Sequence, residues 1–233
     1  MTNPITKLAI ILIVLVAFVD GMLVAKHFLE DTDPAAATDP VIIQDVFTPK
    51  TSESINIYSL QEAPFTTQAI HGWVSPWDQY AEEACIYMAM QWVRGEDITD
   101  PSKTADDLLA MGVWENNAIS GSGDTPAALT MQILTSYYSH TETHLIDEPT
   151  TENLKEELKE GNLIALTING QLLESPYYGN PAPEHHMLLL IGFDETEQSF
   201  IVNDPGTSHG EQIYYSYEKT LASIKDSAIV IQP

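Results

Sequence analysis

Residues 185–207 read HHMLLLIGFDETEQSFIVNDPGT and contain two short apolar runs separated by polar residues. Short apolar runs with polar or turn-forming ends are typical of buried β-strands. The first run follows His186, and the second ends just before Asp204. A histidine that opens one strand of a hairpin and an acid that closes the other can meet at one edge of the sheet. A carboxylate in that position can orient an imidazole, so the segment indicates a candidate site as well as a hairpin.

The remaining pattern predicts an α+β fold in which helices come first and an antiparallel sheet follows. Helical spacing of apolar residues and capping residues predict five helices, and alternating or continuous apolar runs predict five strands. The predicted helices are Gln79–Val93 capped by Asp78 and ended by Gly95, Ser102–Met111, one that Asp124 caps and Pro126 begins, Thr151–Glu160, and Tyr217–Ile224. The predicted strands are Leu163–Ile168, His186–Phe193, Phe200–Asn203, Ile213–Tyr217 and Ala228–Ile231.

The N-terminal segment Leu8–Ala25 is apolar except at Asp20 and Gly21, and it is just long enough to span a bilayer as a helix. Lys7 precedes it and acidic residues dominate after it, which predicts a cytoplasmic N-terminus and a domain outside the cytoplasm. The alternative is a cleaved signal peptide and a secreted domain. We expect a transmembrane signal-anchor over residues 1–28, an acidic linker over 29–54, and one domain over 55–233.

Charge and cysteine content exclude several classes of function. The chain has 34 acidic and 9 basic residues, a formal charge of −25, which argues against nucleic-acid binding and against docking on anionic lipid. The acidity favours simple solvation, and attraction of cations or basic peptides is the functional alternative. A single cysteine excludes an internal disulfide and any site that needs several thiolates. The sequence predicts no cofactor.

The alternative is a zinc site built from His185, His186, His209 and Glu184. Adjacent residues on a strand point to opposite faces of the sheet, so His185 and His186 cannot easily bind one ion. We therefore expect no metal.

The one thiol, Cys85, lies near the start of a predicted helix, where the helix dipole lowers thiol pKa values. With His186 and Asp204 it follows the chain order of a thiol, a base and an orienting acid. The alternative for Cys85 is a core residue on the apolar stripe of its helix, since buried cysteines are common. The residues alone leave both interpretations open.

Four blocks of the domain resemble a known family. They are Ala63-Pro64-Phe65-Thr66-Thr67-Gln68, Glu82-Glu83-Ala84 with Met88, His186 to Asp194, and Asn203-Asp204-Pro205-Gly206-Thr207. Over about Ile55 to Gln232 the chain resembles the bacteriocin-processing (double-glycine leader) cysteine peptidases of the papain-like superfamily, in their stand-alone form. The resemblance implies a papain-like fold, a peptide or protein substrate, His186 as general base and Asp204 as its orienting partner.

The resemblance also implies that the nucleophile position is occupied by Ala81, directly before Glu82-Glu83-Ala84, with Gln68 as the oxyanion donor. A second alignment pairs Gln79 with Cys85, six residues later, as oxyanion donor and nucleophile. Four residues correspond to about 6 Å along a helix, so only one of these positions can face the base. We predict that the nucleophile is lost at Ala81 and that the domain is a membrane-anchored, peptide-binding pseudo-peptidase. The alternatives are an active cysteine peptidase or amidase that uses Cys85, and a structural spacer or adhesion module.

Overall fold

One antiparallel sheet of seven strands organises the structure, which is a computed structural model that describes residues 57–59, 62–119 and 125–233. The strand order is β2-β7-β3-β4-β5-β6, and β1 pairs with the end of β4 that extends beyond β3. All described residues belong to the unit Ser52–Pro233. The strands are β1 (Ile57–Ser59), β2 (Thr143–Ile146), β3 (Leu163–Ile168), β4 (His186–Asp194), β5 (Ser199–Asn203), β6 (Ile213–Ser216) and β7 (Ile224–Ile231).

Helices cover both faces of this sheet. A 3₁₀ turn, Trp77–Gln79, precedes α1, and a π-helical turn, Ile133–Tyr137, follows α3. The helices are α1 (Ala81–Arg94), α2 (Pro101–Ala118), α3 (Ala127–Gln132), α4 (Thr151–Lys159), α5 (Gly170–Leu173) and α6 (Tyr217–Ser223). This is the predicted α+β class with an antiparallel sheet.

Strand β4 is buried on both faces, which explains its unbroken apolar run. Met187, Leu189 and Ile191 pack in the core that contains α1. Leu188 and Leu190 point the other way, into a second core that contains the apolar residues of α4. The two-residue alternation of a strand therefore fixes His186, at the start of β4, relative to both cores.

Helix α1 starts at Ala81, two residues later than predicted. Asp78 does not cap it but lies in the preceding 3₁₀ turn, and the N-cap residue is Tyr80. The helix ends as expected at Gly95, whose φ of 65° is left-handed and suits glycine. Ala81 is therefore in the first turn and Cys85 in the second.

Two other elements begin or end several residues away from the predicted bounds. The second helix begins at Pro101 and runs to Ala118, and the side chain of Asp100 caps it by accepting from the backbone N–H groups of Ser102 and Lys103. Strand β7 begins at Ile224, earlier than predicted. The predicted cap at Asp124 lies outside the described residues.

The helices do not all precede the sheet as predicted, because β1 comes before the first helix and β2 comes between helices. Strands β1 and β2 were missed, and β2 joins the sheet after α3 by pairing with β7. Its sequence, Thr143–Ile146, carries one central histidine and no long apolar run, so the pattern of an edge strand was weak. The short helix α5 was also missed.

The predicted signal-anchor, residues 1–28, and the linker, residues 29–54, lie outside the described residues. Within the part that the structure describes, no helix combines the length and the apolar character needed to cross a bilayer.

Candidate active site

His186 and Asp204 form a buried pair at the edge where β4 begins and β5 ends. Leu189 pairs with Asn203 across these strands, which brings the start of one and the end of the other together. Nε2 of His186 lies 2.7 Å from Oδ1 of Asp204. The histidine is 3% exposed and the aspartate is 0% exposed.

Asp204 is held by four hydrogen-bond donors. Oδ1 accepts from His186 and, at 2.8 Å, from the backbone N–H of Gly206. Oδ2 accepts from the hydroxyl of Tyr178 at 2.7 Å and from that of Tyr215 at 2.8 Å. The sequence did not indicate these two tyrosines, because each lies in a different segment of the chain.

This environment keeps Asp204 ionised. Burial by itself would raise the pKa of its carboxyl group, but the charge of His186 and the hydrogen bonds from His186, Tyr178 and Tyr215 outweigh burial and lower it. A carboxylate can only accept hydrogen bonds. Nε2 of His186 therefore carries the proton that lies between them, and the tautomer of the neutral imidazole is fixed.

The imidazole of His186 is also held sterically. The ring of Tyr178 meets it edge-on, with centroids 5.3 Å apart and planes at 80°. A Cβ atom on Gly206 would come within 2.7 Å of both Cε1 and Nε2 of His186. The glycine at this turn is therefore needed for the close approach of backbone and ring.

A cavity of about 810 Å³ opens in front of His186. Nδ1 of His186 makes no hydrogen bond to any residue that the structure describes. The lining residues include both candidate oxyanion glutamines and Ala81, but not Cys85. They are Gln68, Trp73, Asp78, Gln79, Ala81, Glu82, Tyr177, Tyr178, Gly179, Pro181, Pro183, His185, His186, Gly206, Thr207, Ser208 and His209.

Gln68 is fixed against the loop that carries Asp204. Its backbone N–H donates to the carbonyl of Pro205 at 3.0 Å, and its side-chain Nε2 donates to the carbonyl of Trp77 at 3.2 Å. The side-chain oxygen is buried and has no partner among the described residues. Gln79 lies on the exposed side of the same cavity. Both glutamines therefore line the cavity, but only Gln79 is exposed.

Cys85 lies one helical turn below the cavity, in the core. It is 0% exposed, and its Sγ donates to the carbonyl of Met187 at 3.4 Å. Burial, followed by the charges of Asp204 and Glu82, raises the pKa of this thiol well above its usual value. Such a thiol is inert, since the thiolate is the reactive form. The structure brings Ala81, Gln68 and His186 together in one cavity and leaves Cys85 out of it.

The sequence profile of the Peptidase C39-like family matches residues 60–227, which include the whole of this site. The chain belongs to the Peptidase C39-like family. Among solved structures, this C39-like domain is similar to a C39-like peptidase from Bacillus anthracis, with a TM-score of 0.51, 16% identity, and coverage of 76% of this chain and 98% of the other. That similarity shows that the two chains share a fold.

A second structural match is to xylellain, a cysteine protease from Xylella fastidiosa, with 16% identity and a TM-score of 0.30. It covers 64% of this chain and 68% of the other. A search of curated proteins finds no match to this chain.

The C39-like domain contains a second histidine–carboxylate pair that the sequence analysis did not identify. Nε2 of His185 lies 2.5 Å from Oε1 of Glu82, the residue after Ala81. Nδ1 of His185 lies 3.3 Å from Nζ of Lys225 on β7. Glu82 and His185 belong to segments that are distant in sequence, so spacing gave no signal for the contact.

The two adjacent histidines of the C39-like domain thus turn to different carboxylates, His185 to Glu82 and His186 to Asp204. Among the described residues, no three histidine, cysteine or acidic side chains are arranged to hold a metal ion.

Proposed function

We propose that this chain is a membrane-anchored pseudo-peptidase that binds peptides in the cavity of an extracytoplasmic C39-like domain without cleaving them. The observation that carries the proposal is the methyl group of Ala81 in the cavity wall that also contains His186 and Gln68. In a cysteine peptidase, a thiolate must approach the imidazole to about 3 Å before it attacks the carbonyl carbon. A methyl group has no lone pair and cannot form the acyl-enzyme.

The contacts around His186 support this proposal. Asp204 and the two tyrosines hold the imidazole of His186 in one orientation, and Gln68 lines the same cavity. A cavity of about 810 Å³ can hold several residues of an extended peptide. Peptide binding without cleavage is the function that such an arrangement supports best.

The alternative, an active peptidase or amidase that uses Cys85, requires a different position of α1. One helical turn is about 5.4 Å of rise, and Cys85 would have to move toward the cavity by roughly that distance. Such a shift would remove Cys85 from the core and break its contact with Met187. It would also displace Ala84, Ile86 and Met88, which are completely buried.

The location and the ligand class extend this proposal. The apolar segment Leu8–Ala25, with Lys7 before it, supports an uncleaved anchor and a domain outside the cytoplasm. The resemblance to stand-alone bacteriocin-processing peptidases supports a peptide, rather than a small metabolite, as the ligand.

The test uses the full chain in non-ionic detergent and a pool of random octapeptides that carry a neutral fluorophore. We expect saturable binding by fluorescence anisotropy, and no fragments by mass spectrometry after prolonged incubation. Gln79→Trp, which places an indole on the exposed side of the cavity, should weaken binding about tenfold, equivalent to about 1.4 kcal/mol.

Glu148→Gln is the matched control, because Glu148 is exposed and does not line the cavity. It should bind like the wild-type chain. Fragments that appear with the wild type and disappear with Cys85→Ser would identify a peptidase and overturn the proposal. Binding that Gln79→Trp leaves unchanged would place the peptide elsewhere.

A further inference from the structure

We infer that the cavity selects peptides that carry a basic side chain, which Asp78 and Glu82 bind beside Ala81. The inference rests on the proposed peptide binding and names the chemistry of the ligand. Four features support it: the acidic side chains that line the cavity, the contacts of Glu82, the unpartnered Nδ1 of His186, and the exposed aromatic side chains of the cavity wall.

The cavity is lined by acidic side chains but by no lysine or arginine among the described residues. The acidic side chains are those of Asp78 and Glu82. Asp78 is exposed, whereas Glu82 is buried at the base of the cavity beside Ala81. A peptide with an arginine or lysine can therefore meet a carboxylate both at the entrance and at the base.

His185 contacts Glu82 through one carboxyl oxygen. Nε2 of His185 lies 2.5 Å from Oε1 of Glu82, and Nδ1 lies 3.3 Å from Nζ of Lys225. Lys225 is thus in contact with the imidazole and the backbone carbonyl of Glu184, and not with the carboxyl group of Glu82.

The second oxygen of Glu82 can take a ligand. Oε1 is the oxygen that His185 occupies, and Oε2 makes no hydrogen bond with any of the described residues. A guanidinium or ammonium group in the cavity can therefore donate to Oε2 without breaking the contact with His185.

An unpartnered nitrogen in the cavity wall independently indicates a ligand that donates hydrogen bonds. Because Nε2–H of His186 is held by Asp204, the neutral imidazole presents Nδ1 as an acceptor. His186 is 3% exposed and lines the cavity, and its Nδ1 has no partner among the residues described. Backbone N–H groups of an extended peptide can donate to it.

Exposed aromatic side chains can accommodate the long basic side chain. Trp73 and Tyr177, which are 56% and 48% exposed, both line the cavity. Tyr177 is stacked on His209 with ring centroids 5.8 Å apart, which orders its ring. Aromatic faces attract a guanidinium by cation–π interaction and pack against its aliphatic stem.

The chain as a whole supports the same ligand chemistry. A formal charge of −25 attracts cationic peptides over long distances and repels acidic ones. This attraction weakens as salt screens it, whereas a contact inside the cavity is screened less. Measurements at low and high salt, together with variants of the cavity, can therefore separate the long-range attraction from the contact inside the cavity.

The test compares two labelled octapeptide pools with the full chain in non-ionic detergent. Both pools are acetylated, amidated and random, except for a fixed central arginine in one and its neutral isostere citrulline in the other. We expect the arginine pool to bind about tenfold more tightly at low salt, a difference of about 1.4 kcal/mol. Asp78→Asn with Glu82→Gln should reduce the ratio to about threefold or less.

Glu148→Gln paired with Glu152→Gln removes two exposed charges outside the cavity and is the matched control. It should leave the ratio unchanged. Equal binding of both pools would overturn charge selection while peptide binding stands. An equal loss in the control and cavity variants would also overturn it, because net charge alone would then explain the preference. Binding of neither pool would overturn the proposed function itself.

Discussion

Nε2 of His186 donates to Oδ1 of Asp204 across 2.7 Å, and both side chains are buried. The imidazole also lines a cavity together with Ala81, whose methyl group cannot form a hydrogen bond with Nδ1. The central feature of this domain is a buried imidazole that is held in one orientation and lines a cavity together with Ala81.

Asp204→Asn should destabilise the domain. The carboxylate accepts four hydrogen bonds, and an amide that replaces it turns an N–H₂ group toward donors on at least one side. Loss of one partner in such a buried network costs about 2–4 kcal/mol in the free energy of unfolding. Urea denaturation of both proteins at pH 7 measures the difference.

The same pair of proteins should converge in acid. The pKa of Asp204 is lowered in the folded state, so the stability that its charge contributes is present above the ordinary carboxyl pKa of about 4 and is lost as the pH falls through the folded value. Unfolding curves at intervals from pH 7 to pH 3 follow this change. An Asn variant as stable as the wild type at pH 7 would show that the network is not stabilising.

Gly206→Ala should displace the imidazole. The new Cβ would lie 2.7 Å from two ring atoms of His186 and 3.0 Å from Oδ1 of Asp204, well inside normal contact distances. We expect a loss of about 1–3 kcal/mol in the free energy of unfolding, as for other overpacked sites. Gly179→Ala is the control, because no atom lies within 4 Å of a Cβ at that glycine. Equal stability of the two variants would contradict the close approach.

Glu83→Gln should stabilise the domain at neutral pH. Glu83 is buried, and burial, followed by the charges of Glu82 and Glu115, raises the pKa of its carboxyl well above the usual value. A raised carboxyl pKa contributes stability below its unfolded value, about 4.3, and this stability is lost as the pH rises through the folded value. The neutral amide avoids that loss.

We expect Glu83→Gln to gain about 1–2 kcal/mol at pH 8 and little at pH 4. Thermal unfolding monitored by circular dichroism across this range gives the comparison, with the exposed Glu148→Gln as control. A variant that is less stable than the wild type at pH 8 would indicate that the charge of Glu83 is needed.

Cys85 should resist alkylation in the folded chain. Its thiol is fully buried, and its pKa is raised by burial and by the charges of Asp204 and Glu82. Iodoacetamide at pH 8 should label it only after denaturation, at a rate that His186→Ala leaves unchanged. Rapid labelling of the native protein that depends on His186 would place the thiol at the base and support the peptidase alternative.

Much of the fold could be predicted because the sheet is buried on both faces. Continuous apolar runs fixed β3 and most of β4 and β5, and the helix that carries Ala81 was displaced by only two residues. Strands β1 and β2 were missed, because a strand of three or four residues carries too short a pattern. Residues 1–56 lie outside the described part of the chain, so the anchor and the linker stay predictions.

The site could be predicted only where its members lie in one sequence motif. His186 and Asp204 are at the ends of neighbouring strands, so a hairpin brings them together. Tyr178, Tyr215 and the Glu82–His185 contact depend on tertiary packing between distant segments, which residue spacing does not encode. The choice between Ala81 and Cys85 required the position of α1 relative to the cavity.

Ala81 lines the cavity with His186, whereas Cys85 does not, so a thiol moved from position 85 to position 81 should come within reach of the base. In the full chain that carries both Ala81→Cys and Cys85→Ala, alkylation by iodoacetamide is measured from pH 5 to pH 9, with and without His186→Ala. We predict rapid labelling well below the ordinary thiol pKa of about 8.5, which collapses in the His186→Ala variant. Labelling with the pH dependence of an ordinary thiol, unchanged by His186→Ala, would show that position 81 does not face the imidazole.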